Sequence, residues 1–256
     1  MMLRILTIAE NTLREAIRNK LLYTLLFFAI ALIGTGVLVS TLSYVEGERI
    51  VQDVGLAGIR LMSVGIAVFV GVGLIHGEVE RRTIYTILSK PVSRTEFLLG
   101  KYVGLVATTW LMLAIMGAAF ALVSIGYGAP LGAGHLAAFG LLAFELMVMV
   151  AVATLFSAFT TPMLASLFTV GIYLVGHLTR DLRQLAEQGD LEALRGIATV
   201  LYRVLPDLES FNATIEAVHG LPIPAAQIGF AAIYAAGYTV ILLGLGACIF
   251  QRRDFR

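Results

Sequence analysis

Long stretches of this chain carry no charged side chain, among them 21–45, 102–144 and 217–251. A helix of roughly 20 apolar residues is what crosses about 30 Å of hydrocarbon, and each stretch can hold at least one. The composition agrees: 59% of the 256 residues are hydrophobic and 14% are charged. Soluble domains of this length keep nearer a quarter of their residues charged, because they need a polar shell. The chain therefore reads as a polytopic, all-α membrane protein, not as a soluble domain.

Six transmembrane helices are expected, at about 21–43, 61–77, 102–125, 135–157, 162–178 and 225–250. They form one transmembrane domain over 21–256. Residues 1–20 precede it as an amphipathic helix. There Leu3, Leu6, Leu13 and Ile17 supply apolar positions, and Arg4, Glu10, Arg14 and Arg18 polar ones. Such a helix lies flat in the membrane interface or extends the first span. Glu46, Glu48, Arg49 and Asp53 are expected in a loop. Arg60 then stands at the edge of a short second span, snorkelling outward or in a wet vestibule. Thr160-Thr161-Pro162 reads as a tight turn, with Pro162 at the first position of the next helix. The outer loop, 179–224, has helical spacing at Leu182, Leu185, Leu194, Ile197 and Leu201, and is expected to form amphipathic helices over the membrane face. Gly73-xxx-Gly77, Gly100-xxx-Gly104 and Ala232-xxx-Ala236 would let helices approach closely.

Twelve of the eighteen Lys and Arg residues fall on the side that holds both termini and the loop at 78–101. By the positive-inside rule that side is cytoplasmic. The net charge of +1 gives no electrostatic basis for binding nucleic acid. A single cysteine, Cys248, rules out an internal disulfide and a CxxC metal site. No GxxxxGK[ST] phosphate loop and no HExxH motif occurs. The histidines at 76, 135, 177 and 219 are scattered toward expected membrane edges, so neither a metal nor another cofactor is expected. Glu145 is the ionisable residue deep inside a span. It should face protein or water, either on a transport path or as a carboxyl joining helices.

The loop at 78–101 is the most informative segment. Ile84, Ile87 and Leu88 line one side of a short amphipathic helix that starts at Glu80, Arg81 and Arg82 and ends at Pro91. Ser93 and Glu96 then form a capping box for a helix that continues through Lys101 into the third span. Glu78, Glu80, Thr83, Leu88-Ser89, Pro91, Arg94 and Leu99-Gly100-Lys101 together closely resemble the permease subunits of ABC-2 type ABC transporters, especially the NosY-like subgroup. Relatives often have Gly before the Thr, where this chain has Arg82. Leu205-Pro206-Asp207 and Phe211-Asn212 are similar to the stretch before that subgroup's last span.

The resemblance implies a permease subunit of an exporter in the cytoplasmic membrane of a prokaryote, without a nucleotide site of its own. ATP and Mg would be bound by a partner ABC ATPase. The loop would be the coupling helix docked on that ATPase, through Glu78, Glu80, Arg81, Arg82, Thr83, Ile84, Ile87, Leu88, Pro91 and Arg94. A second copy or a paralogous permease would complete the transporter in contact with membrane lipid, and an extracytoplasmic partner could dock on the outer loop. A secondary transporter and a non-transporting membrane scaffold are the alternatives. An intramembrane enzyme would need at least two convergent catalytic groups.

Overall fold

A computed structural model describes residues 2–43, 46–74, 93–188 and 204–252. Every span is a helix because the bilayer core offers no water to the backbone, so each N–H and C=O must be satisfied within its own segment. Among the described residues there is no strand, and 6 helices are long and apolar enough to cross a membrane.

Helix α1 (Met2–Ile17) is separated from α2 (Lys20–Ser40), whose start is capped by the Asn19 side chain accepting from Leu21 N. Helix α3 (Gly47–Leu74) contains a π-helical turn, Ile66–Val70, buried except at Phe69. Helix α4 (Arg94–Tyr127) opens on the expected capping box of Ser93 and Glu96, and ends at Gly128, whose φ of 85° suits glycine. Next come α5 (Ala133–Ser157) and α6 (Pro162–Gln188), with Pro162 at its first position. A short segment with a 3-10 turn, Glu209–Phe211, and helix α7 (Thr214–Val218) leads into α8 (Ala225–Arg252).

Several boundaries differ from the sequence expectation. The second span begins at Gly47, so Glu48, Arg49 and Asp53 belong to its first turns and Arg60 lies well inside it. Gln52 helps fix that longer helix by donating from Nε2 to Pro130 O at 2.9 Å. Helix α6 runs past residue 178 without a break. Helix α1 is not an extension of the first span. It lies against α4, burying Ala9, Thr12 and Ala16 and leaving Leu3 and Leu6 exposed.

That docking depends on Gly100 and Gly104. A Cβ at Gly104 would come within 2.6 Å of Ala9 O, and one at Gly100 within 2.7 Å of the Ile8 side chain. The nearby hydroxyls bond locally: Thr12 to Ile8 O and Thr108 to Gly104 O, each at 2.8 Å. Lys101 is fully buried at this contact and its Nζ meets Glu15 Oε2 at 3.2 Å. The other small-residue pairs behave differently. In α8 the packed alanines are Ala231 and Ala235, not the Ala232 and Ala236 pair. A Cβ at Gly73 would meet open space, and Gly77 lies outside the described residues.

Candidate functional site: a charged cluster between three spans

Glu145 lies halfway along α5 and is completely buried. A lone carboxylate there would lose its hydration with nothing in return, so it needs a partner. Arg60, from the middle of α3, supplies one: its Nη2 donates to Glu145 Oε2 at 2.8 Å. His177, from α6, brings Nε2 to 3.4 Å from Glu145 Oε1. Tyr173, one turn earlier on α6, packs its ring against His177 with centroids 4.6 Å apart. Three spans thus meet at one acid, one base and one imidazole. The Arg60 and His177 side chains are 14% and 19% exposed.

The segment before α8 covers this cluster. Leu208 and Phe211 are buried, and Leu208 N donates to Gly176 O at 3.1 Å. Gly176, beside His177, is small because the chain passes close: a Cβ there would lie 2.8 Å from the Leu208 side chain and 2.9 Å from Pro206 O. Phe211, Asn212 and Ala213 also flank a small cavity beside Arg60. Tyr234 and Tyr238 of α8 hold the segment from its other side, bonding to Asp207 N and Val204 O. Leu205-Pro206-Asp207 and Phe211-Asn212 therefore belong to the segment that caps the charged cluster; of the outer helices expected before it, Leu194, Ile197 and Leu201 lie outside the described residues.

The spacing of the sequence missed two members of this cluster. Hydrophobic run length alone puts Arg60 at the edge of the second span, whereas the helix begins thirteen residues earlier, at Gly47. His177 had been placed at an edge for its polarity. The signal that could have joined them is elementary: two opposite charges within apolar helices each require a partner, and each is the other's natural one.

Of the residues expected to couple to an ATPase, Glu78, Glu80, Arg81, Arg82, Thr83, Ile84, Ile87, Leu88 and Pro91 lie outside the described residues. Arg94 is described. It sits in the first turn of α4 and its Nη1 donates to Phe250 O at 3.2 Å. A cation at the last turn of α8 complements the carbonyls exposed there, and Phe97 stacks on Phe250 beside it. The start of α4, which follows the loop, is thereby tied to the end of the last span.

Chemically, the Arg60–Glu145–His177 cluster can fasten helices and hold charge in a low-dielectric interior. Among the described residues no group of three or more His, Cys, Asp or Glu could hold a metal ion. Comparison with curated proteins gives no match. The family model described as ABC-2 family transporter protein matches residues 6–255, nearly the whole chain. With its six apolar helices and no strand among the described residues, the chain belongs to the ABC-2 family of transporter proteins, as a multi-pass membrane component.

Proposed function

We propose that this chain is the permease subunit of an ATP-driven exporter of the NosY-like subgroup, seated in a prokaryotic cytoplasmic membrane with both termini inside. Two permeases and two ABC ATPase subunits form the transporter, and the ATPases bind the ATP and Mg. The observation that carries this reading is the family match over residues 6–255, in a chain that has no phosphate loop of its own. Members of this family normally work with an ABC ATPase and often dimerise.

In this reading the loop at 78–101 receives the ATPase movement. Helix α3 enters the loop and α4 leaves it, so both spans move with it. Along α3 the movement passes the π turn at Ile66–Val70 before reaching Arg60 and its bond to Glu145. π turns are local irregularities at which a helix can readjust. The buried ion pair is then the contact between α3 and α5 that must shift when the transporter changes state.

The test is co-expression with a candidate partner ABC ATPase. A 2:2 complex whose ATP hydrolysis depends on the permease is expected. A stable, active monomer indifferent to nucleotide would refute the reading.

A further inference from the structure

The ion pair between Arg60 and Glu145 leaves part of its cluster unpaired. Arg60 meets one carboxylate oxygen, Oε2, at 2.8 Å. The other, Oε1, is buried without a hydrogen-bond partner, and so are both ring nitrogens of His177. Nε2 of that ring stands 3.4 Å from Oε1. Buried polar atoms without partners are rare, because each forfeits its hydration for nothing in return. Three such atoms side by side need a partner that no described side chain supplies.

A neutral imidazole has one proton for two nitrogens. With that proton on Nδ1, two lone pairs face each other across the 3.4 Å gap. With it on Nε2, Nδ1 is a buried acceptor with no donor. One further proton removes both faults. It lies between Oε1 and Nε2, and the Tyr173 carbonyl, beside the ring and one turn earlier on α6, accepts from Nδ1. A metal ion would stand about 2 Å from each atom, so it does not fit in line across the gap. A proton needs no cavity.

Charge points the same way. The titratable groups that act on this pair are Arg60 from α3, Tyr173 from α6 and Glu209 from the 3-10 turn of the cap. Two carboxylates therefore surround one guanidinium, and one proton balances them. Glu209 also lines a cavity of about 780 Å³ between the cap and α8. Asn212, whose Nδ2 donates to Glu209 Oε1 at 2.8 Å, lines both that cavity and the small one beside Arg60. The small cavity, about 20 Å³, has room for one water.

We propose that Glu145 and His177 form a proton-binding site, exchanging with the cavity between the cap and α8 by way of Glu209 and Asn212. Loading is a proton transfer alone. A hydronium ion in the cavity gives up its proton and remains as water, and the proton comes to lie between Oε1 and Nε2. The loaded pair ties α6 to α5, and the empty pair leaves only Arg60 on Glu145. The proposal requires only that the chain spans a membrane, and stands apart from the ATPase coupling.

The full chain in detergent, carrying isotopically labelled histidine, is titrated between about pH 5 and 8 and the ring nitrogen resonances are read. His177 is identified by the signals lost in His177→Gln, and the buried His135 reports that each variant is folded. A single titration step of His177 is expected in the parent. Glu209→Gln should move its midpoint to lower pH by about one unit, because a nearby negative charge favours the added proton. Glu145→Gln puts an amide donor where the carboxyl stood and should abolish the step. Glu209 is half-buried on the cap, so its variant keeps the test open if Glu145→Gln fails to fold. His177 signals that do not change over this range overturn the proposal and make the cluster a fixed clasp. A step with the same midpoint in Glu145→Gln overturns it too, since that step would belong to the imidazole alone. So does a midpoint unmoved by Glu209→Gln.

Discussion

Arg60 Nη2 and Glu145 Oε2 meet at 2.8 Å, joining the middle of α3 to the middle of α5 where no water reaches the carboxylate. Removing one member of such a pair strands the other charge. Arg60→Met or Glu145→Leu should each lower stability by roughly 3–5 kcal/mol. Arg60→Met combined with Glu145→Leu should recover at least half of that, since no unpaired charge remains. Thermal unfolding of the four proteins in one detergent reads the cycle. Strictly additive losses would mean that the two residues do not act as a pair.

The contact between α1 and α4 depends on the absence of a side chain at Gly104, because a Cβ would lie 2.6 Å from a backbone oxygen of α1. Gly104→Leu should cost about 1–3 kcal/mol through overpacking and should detach α1. Limited proteolysis is the measurement: cleavage within residues 2–17 should accelerate in the variant while the spans stay protected. Glu15→Gln should act in the same direction but more weakly, by removing the countercharge of the buried Lys101.

Gly176 allows the cap to sit on α6, with Leu208 and Pro206 close to the position a Cβ would take. Gly176→Leu should lift the segment around Phe211 from the charged cluster. With Cys248→Ser, a cysteine at Phe211 is expected to react slowly with a membrane-impermeant maleimide in the parent protein and severalfold faster with Gly176→Leu. Equal rates would show that the cap does not depend on this contact.

The proposed coupling loop has its own test. Leu88→Asp should release the ATPase or abolish permease-dependent ATP hydrolysis, while Arg81→Ala should have a mild effect, because apolar anchors dominate docking and rim charges add less. Co-elution and hydrolysis are measured on both variants. If Leu88→Asp changes neither, the loop is not the coupling element.

The spans, the capping box at Ser93 and Glu96, and Pro162 at the head of its helix were legible in the sequence. Each is written locally, in hydrophobic run length, in residues three apart, or in a fixed φ. The close approach at Gly100 and Gly104 was legible as a motif, but its partner was not: the motif says only that some helix comes near, and the tertiary structure made that helix α1. Apolar residues fill almost all positions of α5 and α8, so periodicity carried little information about which face is buried. This is why Ala231 and Ala235 pack in place of their neighbours Ala232 and Ala236. Arg60, Glu145 and His177 are far apart in sequence and lie on three different helices. Their meeting is a property of how the bundle assembles. Desolvation dictated from the sequence alone that Glu145 must face protein or water; only the packing of α3 and α6 against α5 decided that Arg60 pairs with it and that His177 lies beside it.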